Sequence, residues 1–218
     1  MLDYPELSYS SNGSSSDSIF DYYPDSTQTP VSLLNTTKKF EYLRRQNFGF
    51  VFQESYLLNN LTNQINIQIP LFINGLSVQD NHLKKLINEF TLKNEMLSRR
   101  PSELSGGEAQ RMAVIRAIVH SPKLILADEP TSNIPFKLGL DIFQFFTQWC
   151  HQDEERSLIW VTHNIEQAKV YGEHFIHLKD GIVEKQYDKQ KAINNVSDKS
   201  ILELNQDPSW LIFICVRF

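Results

Sequence analysis

Two short stretches of this sequence have residue types and spacing suited to holding an anion. The first is Leu104-Ser105-Gly106-Gly107-Glu108-Ala109-Gln110-Arg111. Its paired glycines carry no Cβ, so backbone N–H groups there can come close to a ligand. Ser105 precedes a helix-forming run from Glu108 through Val119 and is placed to cap it. A helix N-terminus offers unpaired N–H donors and the positive end of the helix dipole, so this corner reads as a phosphate site. The second stretch, Lys123 through Ser132, is a short apolar run ending in Asp128-Glu129-Pro130. Such a run reads as a buried parallel strand. Its two acids emerge at the carboxyl end, where open α/β sheets bind ligands.

Taken together, the two stretches resemble motifs of the ABC-type ATPases, the nucleotide-binding subunits of ATP-driven transporters. Leu104–Arg111 is similar to the signature motif of that family and Leu124–Glu129 to its Walker B motif, with Ser105 and Glu129 24 positions apart. Phe48–Gln53, an apolar strand pattern ending in glutamine, resembles the Q-loop. Ser157–His163, a second buried-strand pattern, resembles the strand and histidine of the H-loop. Pro70–Gly75 is similar to a segment of the lipoprotein-releasing and macrolide-export branch.

The resemblance implies an α/β fold, with a P-loop-NTPase-like core, a helical subdomain and an incomplete N-terminal end. It implies ATP and Mg²⁺ as cofactors. Asp128 would hold Mg²⁺ through water, and Glu129 would be the general base for water attacking the γ-phosphate. Gln53 would contact Mg²⁺ and that water, and His163 the γ-phosphate. Ser105, Gly106, Gly107 and Glu108 would bind the nucleotide held mainly by an opposite subunit. The implied partners are a second ABC ATPase subunit, of the same or another chain, and a transmembrane permease subunit. The implied location is the cytoplasmic face of the inner membrane.

Composition agrees with this class. A chain of 218 residues suits one domain with a subdomain. A formal charge of −5 leaves no nucleic-acid footprint. Cys150 and Cys215 are too few and too distant for a disulfide framework and suit a reducing cytoplasm. The first residues show no basic and apolar signal-peptide pattern. No apolar run reaches the roughly 20 residues of a membrane helix, so a membrane role must run through a partner. Between Gln53 and Ser105 there is no heptad run, which argues against the coiled-coil ABC ATPases of chromosome maintenance and repair.

The elements that must position these residues follow from the pattern. Ser8–Ser18 reads as a loop, Ile19–Tyr23 as one short strand, and Thr36–Gln46 as a polar helix. Leu83, Leu86, Ile87 and Phe90 recur at the spacing of one buried helical face. Ala109, Ala113 and Ala117 form a small-residue stripe that permits close packing. Arg111 and Arg116 read as helix-face salt-bridge partners. Leu140–Cys150 reads as an amphipathic helix, and His174–Lys185 as a hairpin turning at Asp180-Gly181. The expected division is an irregular segment 1–30, a partial ABC-type domain 31–185 with its helical subdomain at about 57–110, and a tail 186–218.

Several departures matter. No glycine in the sequence is followed by lysine, so the phosphate-cradling G-x-x-x-x-G-K-[ST] pattern is absent from these residues. Leu2–Pro5 resembles the turn that follows that loop's helix. The loop's strand is expected to flank the Asp128 strand, so an open edge is expected there. Pro135 stands where the family carries an acid in its D-loop, and Asn164 stands for an aspartate after His163. The sequence therefore also allows a non-hydrolytic module that completes a partner's ATP site. Trp210–Val216 is strongly apolar and reads as a packing strand or as residue of a damaged reading frame.

Overall fold

The computed structural model describes residues 21–22, 31–32, 37–162, 174–179, 182–188 and 210–216. Ser8–Ser18, Leu2–Pro5, His163, Asn164 and the Asp180-Gly181 turn lie outside the described residues. The chain divides into two compact units, residues 1–42 and 43–218. In the first, β1 (Asp21–Tyr22) pairs antiparallel with β2 (Val31–Ser32). Helix α1 (Thr37–Asn47) leads into the second unit.

The second unit is built on a mixed sheet. Its strands are β3 (Phe48–Val51), β4 (Leu124–Asp128), β5 (Ser157–Thr162), β6 (His174–Lys179), β7 (Ile182–Asp188) and β8 (Trp210–Val216), in the order β3-β4-β5-β8-β6-β7. Strands β3, β4 and β5 are parallel neighbours. Their registers put Val51 beside Ala127 and Ala127 beside Trp160, so the three carboxyl ends, at Val51, Asp128 and Thr162, lie within two residues of one another. Parallel strands need long crossovers. The first holds α2 (Asn63–Ile73), α3 (Asp80–Glu89) and α4 (Gly106–Ile118), and the second holds α5 (Phe136–His151).

Strand β4 pairs on both sides, with β3 and with β5. The open edge expected beside it does not exist: the strand carrying Asp128 is central. Strand β8 runs antiparallel between β5 and β6 and pairs with both. The apolar segment with no counterpart named in the sequence is therefore an interior strand, where its backbone donors and acceptors find partners on each side.

Packing follows the apolar patterns. Leu83, Leu86, Ile87 and Phe90 are all buried, as the helical spacing predicts. Trp160 of β5 is fully buried against Phe143 and Phe146 of α5, with ring centroids 4.8 and 6.2 Å away. Aromatic pairs of this kind contribute about 0.5–1.5 kcal/mol beyond burial alone. The alanine stripe also packs as expected. At Gly49 of β3 an added Cβ would stand 2.3 Å from the Ala117 carbonyl oxygen, so α4 rests directly on the strand there. Helix α5 begins at Phe136, earlier than the amphipathic spacing suggests, because Pro135 at its N-cap has φ −54° and suits a helix entrance. Among the described residues no helix is long and apolar enough to cross a membrane.

Candidate functional site

The phosphate corner is built by α4 on itself. Ser105 is the N-cap with extended backbone. Its Oγ accepts from the Glu108 N–H at 3.4 Å and donates to the Glu108 carboxylate at 2.8 Å. The same carboxylate accepts the Ser105 N–H at 2.8 Å. This reciprocal capping box satisfies two helix-end donors. It leaves the N–H groups of Gly106 and Gly107, the first two positions of the helix, with no intrahelical acceptor. Both Ser105 and Gly106 are exposed. A Cβ on Gly106 would have nothing nearer than 4.0 Å, so the glycine leaves open space above the helix end. The Ser105 bonds hold the Glu108 carboxyl below the usual carboxylate range, aided by Arg111 and Arg99. An ionised Glu108 therefore fixes Ser105, which defines its part in the corner.

The acidic corner is built differently. Asp128 ends β4 and faces solvent. Glu129 turns sharply with φ +46°, in the left-handed region that a non-glycine residue rarely occupies. Its N–H donates to the Val161 carbonyl at 2.9 Å, while its own carbonyl accepts from the Ser132 N–H and hydroxyl. The residue is only 4% exposed. Its carboxylate nonetheless meets a polar group: the Thr162 hydroxyl donates to it at 3.5 Å from the end of β5.

Gln53 lies two residues past the end of β3 and is exposed. Because the three strand ends lie within two residues of one another, Gln53, Asp128 and Glu129 lie at or just beyond the carboxyl ends of neighbouring parallel strands. His163 follows Thr162 directly in the sequence but lies outside the described residues. The phosphate corner is tied to the acidic one through α4. Gln110, buried, donates from Nε2 to the Pro130 carbonyl at 2.8 Å and to the Phe52 carbonyl at 2.9 Å.

Sequence reasoning missed three residues here. Gln110 bridges the Gln53 segment and the acidic turn, and Thr162 faces Glu129. Arg116 is the third. It is not a helix-face ion-pair partner: its guanidinium donates to the Tyr56 and Ser55 carbonyls, both at 2.7 Å. Arg111 likewise forms no ion pair among the described residues, and its Nε is buried without a partner. The α4 positions of Gln110 and Arg116 gave no signal, because their partners Phe52, Ser55 and Tyr56 lie about 60 residues away in sequence.

The donor set suits a nucleotide with Mg²⁺. Mg²⁺ keeps several waters and takes one or two carboxylates with substrate phosphates, and Asp128 offers one exposed carboxylate. Among the described residues no cluster of three or more His, Cys, Asp or Glu could cage a metal unaided. The open N–H donors at Gly106 and Gly107 suit phosphate oxygens.

Comparison with known proteins points the same way. The family model described as "ABC transporter" matches residues 23–132. An uncharacterised ABC transporter ATP-binding protein of Methanocaldococcus jannaschii is 35% identical over 149 residues, covering 66% of this chain and 63% of the relative. The lipoprotein-releasing system ATP-binding protein LolD of Rickettsia typhi is 34% identical over 148 residues, covering 67% of this chain and 66% of its own length. A solved dimeric ATP-binding cassette, in a post-hydrolysis state bound to ADP and Pi, superposes with a TM-score of 0.65 at 31% identity. The superposition covers 72% of this chain and 69% of that one. The chain thus spans less than two thirds of the length of these two curated relatives, 63% and 66%.

Proposed function

The chain belongs to the ABC transporter family, and we propose that it acts as an ATP-binding subunit coupling ATP binding and hydrolysis to transport through a permease. The carrying observation is that β3, β4 and β5 end within two residues of one another, with Gln53 and the Asp128-Glu129 pair at or just beyond the ends of neighbouring strands. In this reading Asp128 holds Mg²⁺ through water, and Gln53 orients that water shell. Glu129 accepts the proton of the attacking water, and Thr162 steers its carboxylate. His163 contacts the γ-phosphate. The N–H groups of Gly106 and Gly107 and the Ser105 hydroxyl bind the γ-phosphate of ATP held mainly by a second ABC subunit. ATP supplies the phosphoryl group. Phosphoryl transfer then needs little from the protein beyond positioning and charge neutralisation.

The functional division runs over 31–185, with a helical subdomain at about 57–110 and a tail at 186–218. The permease is met at an apolar groove of about 490 Å³ between β3, α2 and α4. Phe52, Tyr56, Leu58 and Ile73 stand exposed along it, and Arg44, Arg45 and Arg116 line it with no acidic residue. That surface suits an apolar, acid-tipped cytoplasmic segment of a membrane protein, which would hold the chain at the cytoplasmic membrane face.

The test mixes the full chain with an intact ABC ATP-binding subunit that supplies a phosphate loop and follows phosphate release. ATP-dependent association that persists in Glu129→Gln, together with hydrolysis that this substitution removes, supports the reading. Mg-ATP that leaves the two proteins separate sinks it.

A further inference from the structure

The segment 52–56 runs along α4 and is held at two places. Gln110 grips it at the Phe52 carbonyl, and Arg116 grips it at Ser55 and Tyr56. Six residues of helix separate the grips, about 9 Å along the axis at 1.5 Å per residue. Gln53 and Glu54 lie between them.

Three features set this apart from ordinary loop packing. First, the half-buried Arg116 faces no carboxylate among the described residues, and its charge is met by two carbonyl dipoles. Burial pulls its pKa down accordingly. A planar fork donating to two successive carbonyls is a task that lysine performs poorly. Second, Tyr56 sits at φ +43°, a left-handed conformation that disfavours any side chain bearing Cβ. The Arg116 bond to its carbonyl holds it there. Strain kept in place by surrounding contacts is a mark of a functional constraint. Third, Tyr56 is 64% exposed and meets Phe52 edge-on at 5.6 Å, so the held residue forms a wall of the apolar groove. At its other end α4 carries the Ser105 corner.

We propose that Arg116, with Gln110, is a positioning residue: it staples the Gln53 segment and Tyr56 to the helix that bears the phosphate corner, so that nucleotide engagement at Ser105–Gly107 and occupancy of the groove move as one body. This rests on the ATP-binding-subunit reading for its function, but the staple itself stands on geometry alone. Neither residue touches substrate. Their part is to set where the Gln53 amide stands when a nucleotide arrives.

Two measurements on the full chain test it. Hydrogen exchange of amides 52–58 reads the staple directly. Arg116→Met removes both bonds while keeping the aliphatic stem, and should raise exchange there about tenfold. Arg116→Lys, which keeps the charge and one bond, should restore part of the protection. A folded Arg116→Met chain with unchanged exchange at 52–58, or a lysine variant indistinguishable from methionine, overturns the proposal. The second measurement is phosphate release in the mixture with an intact subunit, as a function of ATP concentration. Arg116→Met should lower kcat about tenfold and leave KM within about twofold, because ground-state binding of ATP is untouched. A rise in KM with kcat unchanged overturns the positioning role. If the unaltered chain shows no hydrolysis with the partner, the functional reading fails, and the exchange comparison still decides the staple.

Discussion

The phosphate corner and the acidic corner are tied together through Gln110 and are made in opposite ways. Ser105 and Glu108 hold one another, three residues apart, through hydrogen bonds that close within one helical turn. Glu129 is held by Val161 and Thr162, which lie 32 and 33 residues further along the chain. The first corner is exposed, unstrained and locally capped. The second is buried, has a positive φ and depends on strand pairing. A ligand site can tolerate a local, solvent-facing half because phosphate brings its own charge to it. A general base needs a fixed place and a shielded surrounding, which only neighbouring strands supply.

The comparison breaks first at Glu129. Glu129→Gln in the mixed-subunit assay should lower kcat by at least ~100-fold, the size of a lost general base, while the melting temperature holds or rises. A modest loss would mean that the buried corner is a scaffold. Thr162→Val sharpens the point. It removes the hydroxyl that faces the buried carboxylate and should lower unfolding free energy by about 1–3 kcal/mol, read by denaturant titration. Ser105→Ala tests the self-capped corner. Losing the cap should lower stability by about 1 kcal/mol, close to 2–4 °C in melting temperature for a chain of this size. A larger loss at Ser105 than at Thr162 would reverse the distinction drawn between the corners.

The smallest effect is the pH response of the phosphate corner. The folded Glu108 carboxyl lies below its unfolded value because it accepts the Ser105 N–H and O–H. Its contribution is therefore fully present above the unfolded pKa of about 4.3 and is lost as pH falls through the lower folded value. Glu108→Gln should lower stability by a constant amount above about pH 4.3, and the gap to the wild type should close as pH falls through the folded value. Urea melts at stepped pH measure this. A variant whose curve runs parallel to the wild type throughout would show that the capping box does not depend on charge.

The legible parts of the fold are those with short-range causes. The run Leu124–Asp128 reads as a strand because five residues of this kind have no helical period, and it is one. Leu83, Leu86, Ile87 and Phe90 mark a helix face and are buried together. The centrality of β4 was not legible. The expectation of an open edge beside it came from a strand-order assumption, and pairing order is a long-range property. Nor did Trp210–Val216 announce that it would enter the sheet antiparallel between β5 and β6, since an apolar run states that it must be covered without stating by what. Gln110 and Arg116 looked like ordinary polar positions on a helix, because a side chain aimed at a carbonyl about 60 residues away leaves no local pattern.

By itself the sequence determined Ser105 as a helix cap, the open glycines after it, and the acids at the end of an apolar strand. All of these interactions close within one helical turn or one strand, where spacing along the chain equals spacing in space. Only the tertiary structure decided that three strands end within two residues of one another, that Thr162 meets Glu129, and that Arg116 and Gln110 grip the Gln53 segment. Those contacts join residues far apart in sequence, and their geometry is set by sheet register and helix docking rather than by any local preference.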